Sequence, residues 1–181
     1  RPDIRVIGVE AEDSACLQAA LAAGHPIDLE EVGLFSDGVA VKRIGEKTFD
    51  LIQQYCDEVI TVTTDQICTS IKDIFEQTRV IAEPAGALSL AGLQKYCQAK
   101  ENKGDEHSES LVAILSGANM NFHTLRYVSE RCELGEHKEA VLSVTIPEEK
   151  GSFRRFAQVL GGRVITEFNY RYVSTQPNKP K

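Results

Sequence analysis

Residues 59 to 66 join a strand to a helix with no spacer between them. Val59-Ile60-Thr61-Val62 is apolar and β-branched, and Thr63-Thr64-Asp65-Gln66 has the spacing of a capping box, in which a threonine hydroxyl and a glutamine side chain satisfy each other's backbone amides. Ile67, Ile71, Ile74 and Phe75 then recur at i, i+4, i+7 and i+8, which predicts one apolar stripe packed against a sheet. The order repeats elsewhere. Arg5-Val6-Ile7-Gly8-Val9-Glu10 reads as a strand buried on both faces, followed by helical spacing through Cys16, Ala20 and Leu21 and a break at Gly24-His25-Pro26. Residues 27 to 46 hold Gly33, Gly38 and Gly45 and show no steady period, so a long structured loop is expected before a short helix over Phe49 to Tyr55. Pro84 suits the first turn of a further helix, whose small residues Ala85, Gly86, Ala87, Ser89, Ala91 and Gly92 let its backbone approach neighbours closely. After an exposed loop from Lys100 to Ser110, Leu111-Val112-Ala113-Ile114-Leu115 reads as another fully buried strand, ending at Ser116-Gly117-Ala118-Asn119. Strands alternating with helices imply an α/β fold with a mostly parallel sheet.

The period changes near residue 139. Leu142, Val144 and Ile146 alternate with polar neighbours up to Pro147, as in a half-exposed strand. A short helix with Phe153, Phe156, Ala157 and Leu160 on one side follows, stopped by Gly161-Gly162. Val164, Thr166, Phe168, Tyr170 and Tyr172 then alternate through another strand. That βαβ order is half of a ferredoxin-like unit, so two domains are expected, residues 1–136 and 137–181. The other half would have to follow the tail Gln176-Pro177-Asn178-Lys179-Pro180-Lys181. The Arg1-Pro2-Asp3 start, without methionine and already close to a strand, is expected to be a cut inside a larger sequence.

Composition narrows the class of partner. The net charge of −7 is spread over dispersed Asp and Glu, which argues against nucleic acid or an anionic membrane. No apolar run approaches the ~20 residues a membrane helix needs. Five cysteines, 12 to 40 residues apart and with no C-x-x-C pair, indicate neither a disulfide framework nor a zinc site. His25, His107, His123 and His137 have no ligand spacing, so no metal site is expected. The expected location is cytoplasmic, or a mature organellar form.

Several strings converge on one family: Val9-Glu10-Ala11-Glu12-Asp13-Ser14, Asp37-Gly38-Val39-Ala40-Val41-Lys42, Ala82-Glu83-Pro84-Ala85-Gly86-Ala87, Leu115-Ser116-Gly117-Ala118-Asn119 and Leu125-Arg126-Tyr127-Val128-Ser129-Glu130-Arg131. Together with Val144-Thr145-Ile146-Pro147 through Ser152-Phe153 and Phe168-Asn169-Tyr170-Arg171, they closely resemble the biosynthetic threonine dehydratases, or threonine ammonia-lyases. The resemblance covers nearly the whole chain. It implies the tryptophan-synthase-β-like fold of pyridoxal 5'-phosphate enzymes, followed by half of an ACT-like regulatory domain. It also implies a lyase of isoleucine biosynthesis that converts L-threonine, with L-serine as a second substrate, to an oxo acid and ammonia. For the parent protein it implies isoleucine or valine as effectors, a homo-oligomer (tetramer), and the plastid stroma as location if the source is a plant.

The same resemblance assigns site residues. Ser116 matches the serine that hydrogen-bonds the pyridine nitrogen of the cofactor, with Gly117 beside it; a neutral hydroxyl there does not force ring protonation, which suits β-elimination. The alternative for Ser116 is a turn residue at a strand end. Glu83 matches the glutamate near the cofactor ring, although an acid before Pro84 also suits a helix N-terminus. Gly38 and Val39 match the loop that passes the ring, although a tight turn also explains Gly38. None of Lys42, Lys47, Lys72 and Lys95 lies in the string of the family's Schiff-base lysine, so that lysine and the Gly-rich phosphate loop are expected upstream of Arg1, and the isolated chain is expected to be inactive. Two competing readings are a serine dehydratase or serine racemase, against which the βαβ pattern counts, and a non-catalytic amino-acid-sensing module formed by residues 139–172.

Overall fold

The computed structural model describes residues 3–104, 109–135 and 138–171. Residues His107, His137 and Tyr172 and the 176–181 tail lie outside the described residues. Chain contacts divide the protein into two units, Arg1–Val141 and Leu142–Lys181.

In the first unit, strand β1 (Ile7–Ala11) leads to helix α1 (Cys16–Ala23), a long loop, helix α2 (Glu46–Tyr55) and strand β2 (Glu58–Val62). The strands pair in parallel, Ile7 with Glu58 through Ala11 with Val62, as a helical crossover requires. Both are half-buried along most of their length, so the reading of Arg5–Glu10 as a strand buried on both faces does not hold: none of those residues is buried, and Ala11, just past them, is the buried end of β1. Lys95 Nζ donates to the carbonyl of Thr61 at 2.7 Å, which satisfies one backbone acceptor of β2.

Helix α3 (Thr64–Thr78) starts as its sequence predicts. The Thr63 hydroxyl accepts from Gln66 N at 3.2 Å while the Gln66 side chain accepts from Thr63 N at 2.9 Å. Ile67, Ile71 and Ile74 are buried, and each contributes about 1.5–3 kcal/mol relative to exposure. Phe75, expected in the same stripe, is instead 42% exposed, and the Arg79 guanidinium lies 5.5 Å above its ring. The stripe is narrower than expected because α3 packs on two helices, α4 (Pro84–Glu101) and α5 (Phe122–Gly135), rather than on a broad sheet. Polar contacts fix those two interfaces. Ser70 donates to Gln94 at 2.6 Å and Gln94 to Asp73 at 2.6 Å; across from them the Cys132 thiol meets the Cys68 carbonyl at 3.1 Å, and Arg131 pairs with Asp65 at 2.7 Å.

The run Leu111–Leu115 is a correction. Its residues form no strand among the described residues, and Val112 is 89% and Ile114 76% exposed. Its composition favours extended backbone, but a strand exists only where a second strand completes the ladder, and none of the described residues does so.

In the second unit helix α6 (Ser152–Leu160) lies where its spacing predicts, entered through Gly151 at φ 94° and closed by Gly161 at φ 64°. The flanking runs 142–146 and 164–171 carry no strand pairing among the described residues. Phe168 still reaches the helix, with its ring edge-on to Phe153 at 5.4 Å.

Candidate functional site

The five residues assigned to the cofactor come from three segments, and the structure brings two of them, Gly117 and Gly38, toward the carboxylate of a third, Glu83. Glu83 stands immediately before Pro84, which opens α4 with a proline at its first position, where no amide donor is needed. An acid here is expected to cap its own helix. Glu83 does not: its side chain makes no capping bond to α4. Oε2 instead accepts from the backbone N–H of Asn119 at 3.0 Å, and the Glu83 amide donates to the Gly117 carbonyl at 3.3 Å. Gly117 has φ 64°, and a Cβ on it would stand 1.9 Å from Glu83 Oε1, so the carboxylate fills the space a side chain would take. On its other side, a Cβ on Gly38 would stand 3.9 Å from the same oxygen and 3.0 Å from the Ala85 methyl.

The segment bearing Ser116 runs back along α4 with contacts at every third helical residue. Glu83 holds Asn119. A Cβ on Gly86 would fall 1.6 Å from the Ser116 carbonyl oxygen, so the turn sits directly on the helix backbone. Ser89 Oγ donates to the Ile114 carbonyl at 2.7 Å. Further on, a Cβ on Gly92 would fall 2.3 Å from a Val9 methyl, which seats α4 on β1. The small residues of α4 thus serve close backbone approach, as their spacing suggests. Ser116 and Gly117 are exposed, at the end of an irregular run and not of a buried strand.

Gly38 and Val39 lie in a single 3-10 turn, Asp37–Val39, closed by Val39 N to Ser36 O at 2.9 Å. The tight turn accounts for Gly38, and a Cβ there would also crowd the Ala85 methyl of α4 at 3.0 Å. Val39 is half-buried and packs on the main core; it also lines a cleft with Glu10, Cys16 and Leu88. Burial pushes the Cys16 thiol up, and the adjacent Glu10 carboxylate adds to the shift. Glu10 accepts from the amides of Leu17 and Gln18, both at 2.8 Å, and so holds the positive end of α1. That role escaped the sequence reading because the donors lie seven and eight residues away, outside any capping spacing.

Lys42 is exposed and donates to the Glu30 carbonyl at 2.7 Å, and the amine of Lys95 is engaged by Thr61. Lys47 is exposed on α2 and Lys72 half-buried on α3. Among the described residues no group of three or more His, Cys, Asp or Glu could hold a metal, and no helix is long and apolar enough to cross a membrane.

Residues 1–117 match the family described as pyridoxal-phosphate dependent enzyme. The chain belongs to that family. Residues 130–179 match the C-terminal regulatory domain of threonine dehydratase. Among curated members of the family, biosynthetic L-threonine dehydratase of Salmonella typhimurium is 63% identical over 175 residues, covering 97% of this chain and 33% of that protein. The chloroplastic biosynthetic threonine dehydratase 1 of Solanum lycopersicum is 51% identical over 173 residues, covering 96% of this chain and 28% of its own length. The chain spans about a third of the length of the curated relatives it matches. Among solved structures, the processed threonine deaminase isoform 2 of Solanum lycopersicum superposes with a TM-score of 0.68 at 39% identity, over 72% of this chain and 37% of that one. Maize serine racemase, another bearer of the fold, gives 0.61 at 27% identity, over 77% and 41%.

The residues gathered here fit one portion of the family's cofactor. Ser116 is exposed on a turn whose backbone is held at two points, which leaves a hydroxyl open to a ring nitrogen, while the Glu83 carboxylate fills the space between Gly117 and Gly38. Gly161-Gly162 closes α6 instead of opening a helix, so it does not present amides to a phosphate at a helix N-terminus.

Proposed function

We propose that this chain is the C-terminal part of the catalytic domain of a threonine dehydratase together with the beginning of its regulatory region. In the whole protein it would serve the conversion of L-threonine, or L-serine, to an oxo acid and ammonia. Pyridoxal phosphate, when bound, supplies the electron sink for loss of the α-proton and the β-hydroxyl. Ser116 offers its hydroxyl to the ring nitrogen, and as a neutral partner it leaves that nitrogen's protonation unforced. Gly38 and Val39 border the ring, Gly117 sets the turn that aims Ser116, and Glu83 stands between them. The cofactor-bearing lysine and the phosphate loop are assigned to residues upstream of Arg1.

The observation that carries this reading is the packed turn at Ser116, seated on α4 through Gly86 and Glu83, in a chain of such high identity to threonine dehydratases. Against serine racemase as the alternative stands the likeness of residues 130–179 to a threonine dehydratase regulatory domain. That likeness supports isoleucine or valine as effectors of an oligomeric parent, which we place in the cytoplasm, or in the stroma of a plant source.

Ser116→Ala in the full-length protein tests it. Loss of one neutral hydrogen bond, about 0.5–1.5 kcal/mol, predicts a two- to tenfold drop in turnover with modest loss of cofactor. Unchanged turnover would remove Ser116 from the site. The isolated chain mixed with cofactor is expected to give no visible absorbance band of a lysine adduct; a stable band that borohydride fixes at Lys42 would overturn the assignment of the lysine.

A further inference from the structure

We infer that Glu83 is a positioning residue for Ser116, acting by its grip on the Ser116–Asn119 turn and not by its charge at the cofactor ring. The inference rests on the reading of Ser116 as the ring-nitrogen partner. Three observations carry it. The carboxylate forgoes the capping role that its place before Pro84 offers, since it makes no bond to the first turn of α4. By contrast Asn121, in the equivalent place before α5, caps its own helix through Thr124 N at 2.8 Å. The Glu83 side chain spends its acceptor capacity on the Asn119 amide, three residues beyond Ser116. Its Oε1 occupies the volume where any Cβ on Gly117 would lie, so Glu83 is packed against the residue next to Ser116 as well as bonded beyond it.

With the Gly86 backbone beneath the Ser116 carbonyl and Ser89 on Ile114, the turn is held from one side by a single helix. Gly86 supplies contact without direction. Two directional bonds hold the site end of the turn, the Glu83 amide to the Gly117 carbonyl at 3.3 Å and the Asn119 amide to the Glu83 carboxylate at 3.0 Å, and only the second depends on the side chain. Removing the side-chain bond leaves the turn tied at Gly117 alone, with its Asn119 end and the packing beside Ser116 loosened, while α4 keeps its own hydrogen bonds.

The test uses the full-length holoenzyme and the variants Glu83→Ala, Glu83→Gln and Glu83→Asp. Glutamine keeps an oxygen acceptor of the same reach but no charge; aspartate keeps the charge but is one methylene short. A grip predicts that Gln retains turnover within about twofold, whereas Ala and Asp approach but do not exceed the loss of Ser116→Ala, up to about tenfold, since Glu83 acts through that one contact. Amide hydrogen exchange of residues 115–121 should accelerate in the Ala and Asp variants and stay close to wild type in Gln. Combining Glu83→Ala with Ser116→Ala should cost little beyond Ser116→Ala alone, since both act on one contact. A Gln variant as damaged as Ala, or full additivity of the pair, overturns the inference in favour of charge at the ring. If the Ala variant does not fold, the comparison of Gln with Asp decides by the same criteria. A silent Ser116→Ala with exchange still dependent on Glu83 would instead sink the site reading and leave the grip standing.

Discussion

Gly86→Ala turns the seating of the Ser116 turn into a measurable quantity. The added Cβ would begin 1.6 Å from the Ser116 carbonyl oxygen and 2.7 Å from that of Gly117, and both obstacles are backbone, with no flexible side chain to swing aside. Real Cβ atoms essentially never come closer than 3.0 Å, so the turn must retreat from α4 by about 1.4 Å. At 3.0 Å the Asn119–Glu83 hydrogen bond has little room to stretch, and a retreat of that size breaks it. Alanine in a helix gains at most about 1 kcal/mol over glycine, whereas losing a hydrogen bond to a carboxylate costs about 1.5–3 kcal/mol. With the full gain offsetting the loss, the fold is therefore expected to weaken by about 0.5–2 kcal/mol. The site suffers more, because a misplacement of about 1 Å costs on the order of a hundredfold in rate. The assay is kcat/KM of the full-length protein with urea unfolding alongside, and Gly162→Ala as control, since nothing lies within 4 Å of a Cβ there and its φ is not in the left-handed region. Gly86→Ala with near wild-type kcat/KM would refute the argument that α4 seats the turn.

Two further outcomes follow from the core. Gly92→Ala would set a Cβ 2.3 and 2.7 Å from the Val9 methyls, so overpacking should cost about 1–3 kcal/mol; in a Val9→Ala background the nearest atom is the Val9 Cβ at 3.1 Å and the same substitution should cost much less, which urea unfolding of the four proteins reads directly. Equal cost in both backgrounds would refute the contact. Burial, with the neighbouring Cys132 adding to it, pushes the Cys68 thiol up from 9.0 to about 12. Above pH 9 the unfolded chain therefore loses this proton while the folded one keeps it. Stability should fall between about pH 9 and 12, by up to about 1.4 kcal/mol per unit, and Cys68→Ala should remove that part of the slope. A pH profile identical in the two proteins would refute it.

What could be read from the sequence were features whose partners lie within a helical turn. The Thr63–Gln66 box, the proline start of α4 and the isoleucine stripe of α3 are local, and each stands where its spacing puts it. Leu111–Leu115 is the converse case: its β-branched composition is a preference for a partner strand, which no local pattern supplies. Helix α5 has no counterpart in the sequence reading: of its apolar residues only Val128 and Cys132 are buried, in an interface with α3, which lies far back in the chain. At the proposed site, the resemblance names residues but says nothing of their arrangement. Nothing near Glu83 in the chain signals an amide 36 positions later, or that the acid would prefer it to the helix it introduces.

Helix α4 touches the Ser116 turn at Gly86 and strand β1 at Gly92. Six residues of helix advance about 9 Å and leave the two contacts about 120° apart around the axis. A rod pinned at two heights and on two sides can neither slide nor roll. The spacing between the sheet and the turn is therefore counted in whole residues of α4, a ruler with discrete marks: changing a side chain along it leaves the length unaltered, while inserting or deleting one residue would shift the turn by 1.5 Å and rotate it by about 100°.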